Sequence, residues 1–344
     1  MQPFTQQNSE GPIAAAPKRV LIIRTDRIGE TLLTLPLAAV IHAGWPNAKI
    51  IMLVQEPLQS LLERFEGISE VIAHEPSPGI WWWSSLVLSR RLKRHCFDIV
   101  FIANPKKELH LAARLSGIPI RVGYKRKWSF CLTHRLPDRK SLGERHEVEY
   151  NLDLAAALGL PTAPIRWQLT PGDVSPSEDL SFLKDESHNS AKSFIAIHPW
   201  SSNPRKQWPA ERFVQLIQIL VETASLPVVL IGGTQEKQAA ERFTANQPHL
   251  INLVGRLSLN QLATLLAHSR VVVSNDSGPA HLAAAVGTPA VVLFGTKDPA
   301  AAPRRWRPWG EHHTVIWRPS MEAIELKDVL EAVRSYLGPA AISR

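Results

Sequence analysis

The chain has 344 residues, 44% hydrophobic and 20% charged, with a net charge of +8 and an isoelectric point near 9.7. That length accommodates two α/β domains with sizeable cores, and the balance excludes a disordered chain. The basic surplus points to anionic partners: nucleotide phosphates, a membrane surface or nucleic acid. Two cysteines, Cys96 and Cys131, are too few for a metal cage and suggest no disulfide scaffold, so a reducing compartment is expected.

Residues 1–17 lack the basic start and apolar centre of a secretory signal and read as a flexible tail. Arg19 to Arg24 is a first buried strand. The loop Thr25-Asp26-Arg27-Ile28-Gly29 follows, and Glu30 opens an amphipathic helix running to His42. The longest apolar stretch, Leu32 to Trp45, is interrupted by Thr34, Pro36 and His42 and is too short to span a bilayer. A second strand covers Lys49 to Val54, and strands at Val71-Ile72 and Asp98 to Ile102 alternate with helical stretches. This alternation argues for a parallel, doubly wound sheet.

Trp81-Trp82-Trp83 is followed by Arg90, Arg91, Lys93 and Arg94. Three consecutive tryptophans cannot all face one core. Two readings stand: a helix end that packs one or two of them, or an interfacial anchor with aromatics at headgroup level and cations against anionic lipid. Lys106, Lys107, Arg121 and the run Lys125-Arg126-Lys127-Trp128 add to this basic face, although a solvated surface accounts for any one of them. From Thr162 to Lys192 the chain is polar, rich in Pro, Ser and Asp, and without periodicity, which marks a domain boundary.

The second half restarts with a strand from Phe194 to Ile197 and a loop from His198 to Pro209. The loop brings Ser201, Ser202, Arg205 and Lys206 directly after a strand, as a phosphate site requires. A helix from Ala210 to about Glu222, a strand from Val228 to Ile231 and a helix from Leu259 to His268 follow.

Val271 to Pro299 is the most informative stretch. A β-branched strand ends in Asn275-Asp276-Ser277-Gly278. Pro279 starts a helix through His281 that Gly287 stops, and Ala290 to Phe294 is the next strand. Polar residues thus gather at a strand's carboxyl end, where open α/β sheets bind ligands. The helix start offers free N–H groups to an anion, and Asp276 suits a sugar hydroxyl better than a phosphate. The competing reading is that Asp276 and Ser277 only cap the helix. For His281, packing against the loop is the expected role.

Four segments in order resemble the ADP-heptose:lipopolysaccharide heptosyltransferases, the glycosyltransferase family 9 group. They are RTDRIGETLLTLP, HPWSSNPRKQWP, DSGPAH and FGTKDP. The family usually has Asp-Thr-Gly-x-x-His where this chain has Asp276 to His281, and Gly-Asp where it has Gly29-Glu30. The resemblance implies a GT-B fold: two Rossmann-like, doubly wound parallel-sheet domains facing across a cleft. The expected layout is an acceptor domain over 18–165, a linker over 166–192, a donor domain over 193–325 and a helix in 326–344 that packs back on the first domain.

The resemblance also implies Glu30 as general base, one methylene longer than the usual Asp; the competing reading is a helix-end charge. Ser201, Ser202, Lys206, Ser277 and Gly278 would bind the donor nucleotide and phosphates, and Asp276 the donor sugar. Gly29, His281, Gly295, Thr296 and Glu236 would support them. The implied reaction is metal-independent, inverting transfer of heptose from ADP-L-glycero-D-manno-heptose to a lipid A–core glycolipid, with no cofactor. It would proceed on the cytoplasmic face of the inner membrane, with peripheral attachment to the anionic surface. No Asp-x-Asp pair is present. Asn104-Pro105-Lys106-Lys107-Glu108 replaces the family's frequent Gln-Gly-x-x-Lys, a departure on the acceptor side. The rival readings are a nucleotide-sugar epimerase or hydrolase of the same fold, and a transferase using another nucleotide sugar. Nucleic-acid binding is disfavoured because no helix-turn-helix, zinc or RNP-like signature appears. Transfer to protein is disfavoured because a cysteine-rich metal motif is missing.

Overall fold

The computed structural model describes residues 16–75, 80–162, 166–171, 194–245 and 247–337. The expected tail and linker lie almost wholly outside these residues. The first half runs β1 (Arg19–Ile23), α1 (Ile28–Leu32), α2 (Leu35–Gly44), β2 (Lys49–Gln55), α3 (Gln59–Leu62), β3 (Glu70–His74) and α4 (Trp81–Lys93). It continues with β4 (Ile99–Ile102), α5 (Lys107–Leu115), β5 (Ile120–Tyr124), β6 (His134–Leu136) and α6 (Glu147–Ala156). The second half runs β7 (Phe194–His198), α7 (Ala210–Thr223), β8 (Val228–Leu230), α8 (Lys237–Thr244), β9 (Leu250–Asn252) and α9 (Leu259–His268). It ends with β10 (Ser269–Asn275), α10 (Gly278–Ala285), β11 (Ala290–Gly295), α11 (Pro303–Trp306), β12 (Thr314–Arg318) and α12 (Leu326–Leu337).

The two sheets have the same plan. One is ordered β3-β2-β1-β4-β5-β6, the other β9-β8-β7-β10-β11-β12, and every pairing is parallel. Central strands such as Val20–Ile23 and Val271–Val273 are fully buried. This explains their unbroken apolar sequence, since helices cover both faces of a parallel sheet. Helices show the complementary stripe: in α7 the buried residues are Phe213, Leu216, Ile217 and Leu220. In each sheet the strand order reverses beside the first strand, at β1/β4 and β7/β10. Such a switch point opens the crevice in which doubly wound sheets bind ligands.

Two expectations need correction. The helix read from Glu30 to His42 is two helices, α1 and α2, parted at Leu33–Thr34. Pro36 has no N–H to continue the ladder and its ring crowds the preceding turn, so it occupies the opening of a new helix. Over its described residues, Leu326–Leu337, the carboxyl-terminal helix packs on the second domain instead of the first: Val329, Val333 and Leu337 join the core of the second sheet with Leu216 and Ile217. Their i, i+4, i+8 spacing foretells a buried face without naming the surface it meets.

Candidate active site in the cleft between the sheets

A cavity of about 630 Å³ lies where the two switch points face each other. The first half contributes Arg27, Ile28, Gly29 and Glu30; the second contributes His198 to Asn203 (Pro199 excepted), Lys206, Glu236, Asp276 to Pro279 and His281. Ser201, Ser202, Lys206, Asp276, Ser277, Gly278, Glu236, Gly29, His281 and Glu30 are thus gathered in one place. Gly295 and Thr296 are not. Gly295 lies against the backbone of Ser320 and Met321, and Thr296 accepts from the Asp298 amide (3.0 Å) and, through its carbonyl, from Trp317 Nε1 (2.9 Å). They shape a turn beyond the cavity wall, a difference in direction that sequence order does not carry.

The loop after β7 is clamped at both ends by one side chain. Asn275 Nδ2 donates to the Pro199 carbonyl (2.7 Å), and its Oδ1 accepts from the Trp208 amide (3.0 Å). Trp208 is buried and donates Nε1 to the Ile324 carbonyl (3.0 Å). The loop so fixed delivers Lys206, whose Nζ donates to Asp276 Oδ2 at 2.5 Å. Lys206 and Asp276, expected to take separate tasks, are partners in the structure. Burial pushes the Asp276 carboxyl up, and the Lys206 charge opposes that only in part.

Ser277 does not cap α10 with its side chain. Its Oγ lies 2.7 Å from Ser274 Oγ and 3.2 Å from His198 Nδ1, so the helix start keeps its free N–H groups. Burial drives His198 down to about 4, leaving a neutral imidazole beside the hydroxyl pair. His198 and Trp200 also line the cavity, two residues without an expected role whose signal in the sequence is a His at a strand end.

Glu30 sits in the first turn of α1 and lines the cavity, its carboxylate accepting, among the described residues, only from its own backbone amide. A helix start by itself favours the ionised form of this carboxylate. Instead its pKa is raised, first by burial and then by the Asp26 carboxylate, which together outweigh its own backbone and Arg24. The cleft is closed by reciprocal contact between α1 and α10. A Cβ at Gly29 would stand 2.7 Å from His281 Cδ2, and one at Gly278 would stand 2.2 Å from Ile28 Cγ2. His281 is buried, with Nδ1 unpartnered, and burial holds it neutral with a pKa of about 3. It packs against Gly29 and also lines the cavity.

Trp81 packs edge-on to Trp128 (5.0 Å between centroids) under the Lys107 ammonium, while Trp82 and Trp83 are 48% and 47% exposed. Among the described residues no three His, Cys, Asp or Glu side chains are gathered as a metal site, and no helix is long and apolar enough to cross a membrane.

Two switch-point crevices facing each other, with a carboxylate on one wall and a lysine with a helix start on the other, are the GT-B arrangement of glycosyltransferases and their fold relatives. The family model "Glycosyltransferase family 9 (heptosyltransferase)" matches residues 85–333, and the chain belongs to that family. It is 25% identical over 299 residues to lipopolysaccharide heptosyltransferase 2 of Escherichia coli K12, covering 83% of this chain and 85% of the relative. It is 26% identical to lipopolysaccharide core heptosyltransferase OpsX of Haemophilus influenzae, covering 83% and 81%. Among solved structures, the E. coli ADP-heptose lps heptosyltransferase II superimposes with a TM-score of 0.76 at 25% identity, covering 93% of this chain and 98% of that one. A glycosyltransferase family 9 protein of Veillonella parvula gives 0.80 at 21% identity, covering 93% and 97%.

Proposed function

We propose that the protein transfers heptose from ADP-L-glycero-D-manno-heptose to the lipopolysaccharide inner core, with inversion and without a metal ion. One observation carries this reading: Glu30 shares a cavity with Lys206, Ser277 and the free start of α10. The acceptor hydroxyl gives its proton to Glu30 as its oxygen bonds to the sugar's anomeric carbon. The bond from that carbon to the diphosphate breaks, and its electron pair leaves with ADP. Lys206 exchanges Asp276 for the diphosphate, and the α10 amides add donors that need no reorganisation. Asp276, released, takes sugar hydroxyls. Solved relatives support the donor: E. coli heptosyltransferase WaaC is known with ADP and with ADP-2-deoxy-2-fluoro heptose.

The acceptor is a membrane glycolipid, and the surface around α4 suits that task. Ile80, Trp82, Trp83 and Phe130 are about half exposed, and Trp83, Val87, Arg91 and Arg94 follow one another along the exposed side of the helix. Aromatics at headgroup level beside cations bind an anionic leaflet peripherally, here the cytoplasmic face of the inner membrane.

The test is incubation of the full chain with ADP-heptose and heptose-deficient lipopolysaccharide in EDTA, with product mass and anomeric configuration read by mass spectrometry and NMR. One heptose added with inverted configuration is expected. Donor consumption at the same rate without acceptor would make the protein a hydrolase or epimerase. Activity lost in EDTA and restored by Mg²⁺ would end the metal-free reading, and thermal stabilisation by UDP- or GDP-sugars alone would overturn the donor.

A further inference from the structure

Arg305 belongs to α11 in the carboxyl-terminal half, yet its guanidinium is bonded inside the other half. Nε and Nη2 both donate to Glu147 Oε2, at 3.1 and 3.0 Å, and Nη1 donates to the Lys140 carbonyl at 2.9 Å. The other oxygen, Glu147 Oε1, accepts from Lys140 Nζ at 2.7 Å and Arg24 Nη1 at 3.2 Å. Arg24 in turn donates Nε to Asp26 Oδ1 at 2.7 Å. Asp26 lies in the loop that leads straight into α1 and Glu30. One turn along α6 from Glu147, Asn151 Nδ2 donates to the Leu33 carbonyl at 2.8 Å. Two residues on one face of α6 therefore hold the two ends of the segment that carries Glu30. Arg24, Lys140, Glu147 and Asn151 are all at most 3% exposed.

The seam that brings Arg305 there is tight. Gly143 lies against the Pro299 carbonyl so closely that a Cβ would stand 1.9 Å from its oxygen, and His146 Nε2 meets the Arg307 carbonyl at 2.8 Å. From that seam, Arg305 is the side chain whose bonds continue through Glu147 and Arg24 to the loop before α1.

We infer that Arg305 is a positioning residue: seating of the carboxyl-terminal half completes the donors around Glu147, and Glu147 then holds Arg24, Asp26 and the loop bearing Glu30. The physical reason lies in the division of labour between the two carboxylate oxygens. Both donors to Oε2 come from Arg305, so without it that oxygen is buried with no partner. A carboxylate in that situation turns toward whatever donors remain and loosens its hold on Arg24. The cleft's geometry is thus complete only when the two halves are in register. The catalytic part of this inference rests on the glycosyl-transfer reading; the structural part does not.

The test compares Arg305→Met, which keeps length and loses every donor, with Arg305→Lys, which keeps one. Amide hydrogen exchange is followed over 25–31 and, as an internal reference, over 272–285 of β10 and α10. ADP affinity and turnover at saturating donor and acceptor are measured alongside. Losing two charge-assisted bonds should speed exchange over 25–31 by about tenfold or more in Arg305→Met, with Arg305→Lys between it and the wild type. Exchange over 272–285 and ADP affinity should change by less than about threefold, while turnover falls by about tenfold or more. Unchanged exchange over 25–31 overturns the inference, and so does equal acceleration of both regions, which is general loosening. If Arg305→Met does not fold, Arg305→Lys makes the same comparison. If no glycosyl transfer is found at all, the exchange arm still decides whether Arg305 orders the loop.

Discussion

Glu30 and Glu147 are both withdrawn from water in the amino-terminal half, on the side that meets the other half, and their surroundings drive them in opposite directions. Burial alone would raise both. Around Glu147 three cations, Lys140, Arg24 and Arg305, overcome that and hold its pKa down to about 2, while burial takes Lys140 down to about 8. Around Glu30 nothing overcomes it: Asp26 adds to the rise, its own amide, Arg24 and Arg27 offset it only in part, and Glu30 lines the open cavity. Depth in the protein therefore does not decide a carboxylate's charge; its ring of donors does. One group is a permanent anion that stitches two halves together. The other takes a proton more readily than an ordinary carboxylate, as suits a base.

The sharpest way to break this contrast is at Glu30. Glu30→Gln should cut turnover by about two to four orders of magnitude with donor affinity near normal, and Glu30→Asp should stay well above Gln. The acid limb of kcat/KM should lie above the ordinary carboxylate value of 4.5, with activity rising as pH rises through it. Stability should respond the other way. A raised folded-state pKa stabilises the fold fully below 4.5, and that contribution is lost as pH rises through the raised value. Glu30→Gln should thus unfold at a higher denaturant concentration than wild type at pH 7, a gain that vanishes below 4.5. A Gln variant that turns over like wild type would make Glu30 only a helix-end charge.

Glu147→Gln is the counterpart and should lose stability instead, by about 3–5 kcal/mol, because two buried cations and the partly buried Arg305 lose their shared anion. Here the folded pKa is depressed, so the contribution is present above 4.5 and lost as pH falls toward 2. Urea midpoints across that range decide it; a flat difference between wild type and variant would refute the assignment.

A smaller effect separates the cavity's own ion pair. Lys206→Ala should weaken ADP by about tenfold to a hundredfold, the worth of one charge-assisted bond. Asp276→Ala should leave ADP affinity nearly intact and weaken the intact sugar donor. Calorimetry with both ligands tests the division, and equal losses in the two variants would end it. Smallest is the surface of α4: Arg91→Gln should reduce co-sedimentation with anionic vesicles by about fivefold, since one cation near such a surface is worth about 1 kcal/mol. Binding indifferent to vesicle charge would sink that reading.

Much of the fold was legible because buried parallel strands must be apolar throughout and their helices must not be. The runs at Val20–Ile23 and Val271–Val273 and the helix Leu259–His268 follow from that rule directly. The gathering of Glu30 with Lys206 and Asp276 was legible because ligands meet doubly wound sheets at strand ends. What stayed hidden depends on pairing across the chain. Arg305 and Glu147 are 158 residues apart and Lys206 and Asp276 are 70 apart. No local pattern says which buried charge will find which. The sign of Glu30's shift is hidden for a related reason: a helix start is visible in sequence, whereas the burial and the nearby Asp26 charge that outweigh it come from the folded packing. The tryptophan run divided as its chemistry allows, with Trp81 packed and Trp82 and Trp83 outward.

The reciprocal contact of Gly29 with His281 and of Gly278 with Ile28 bears on how this protein can be inherited and recombined. Each half carries both a notch and the knob that fills the other's notch. A change at one member is tolerated only with a matching change encoded some 250 residues away, so the four positions form a single heritable unit divided between two lobes. Exchanging lobes between relatives, the obvious route to new donor and acceptor combinations, will give a closed cleft only when both notches and both knobs travel as matched sets.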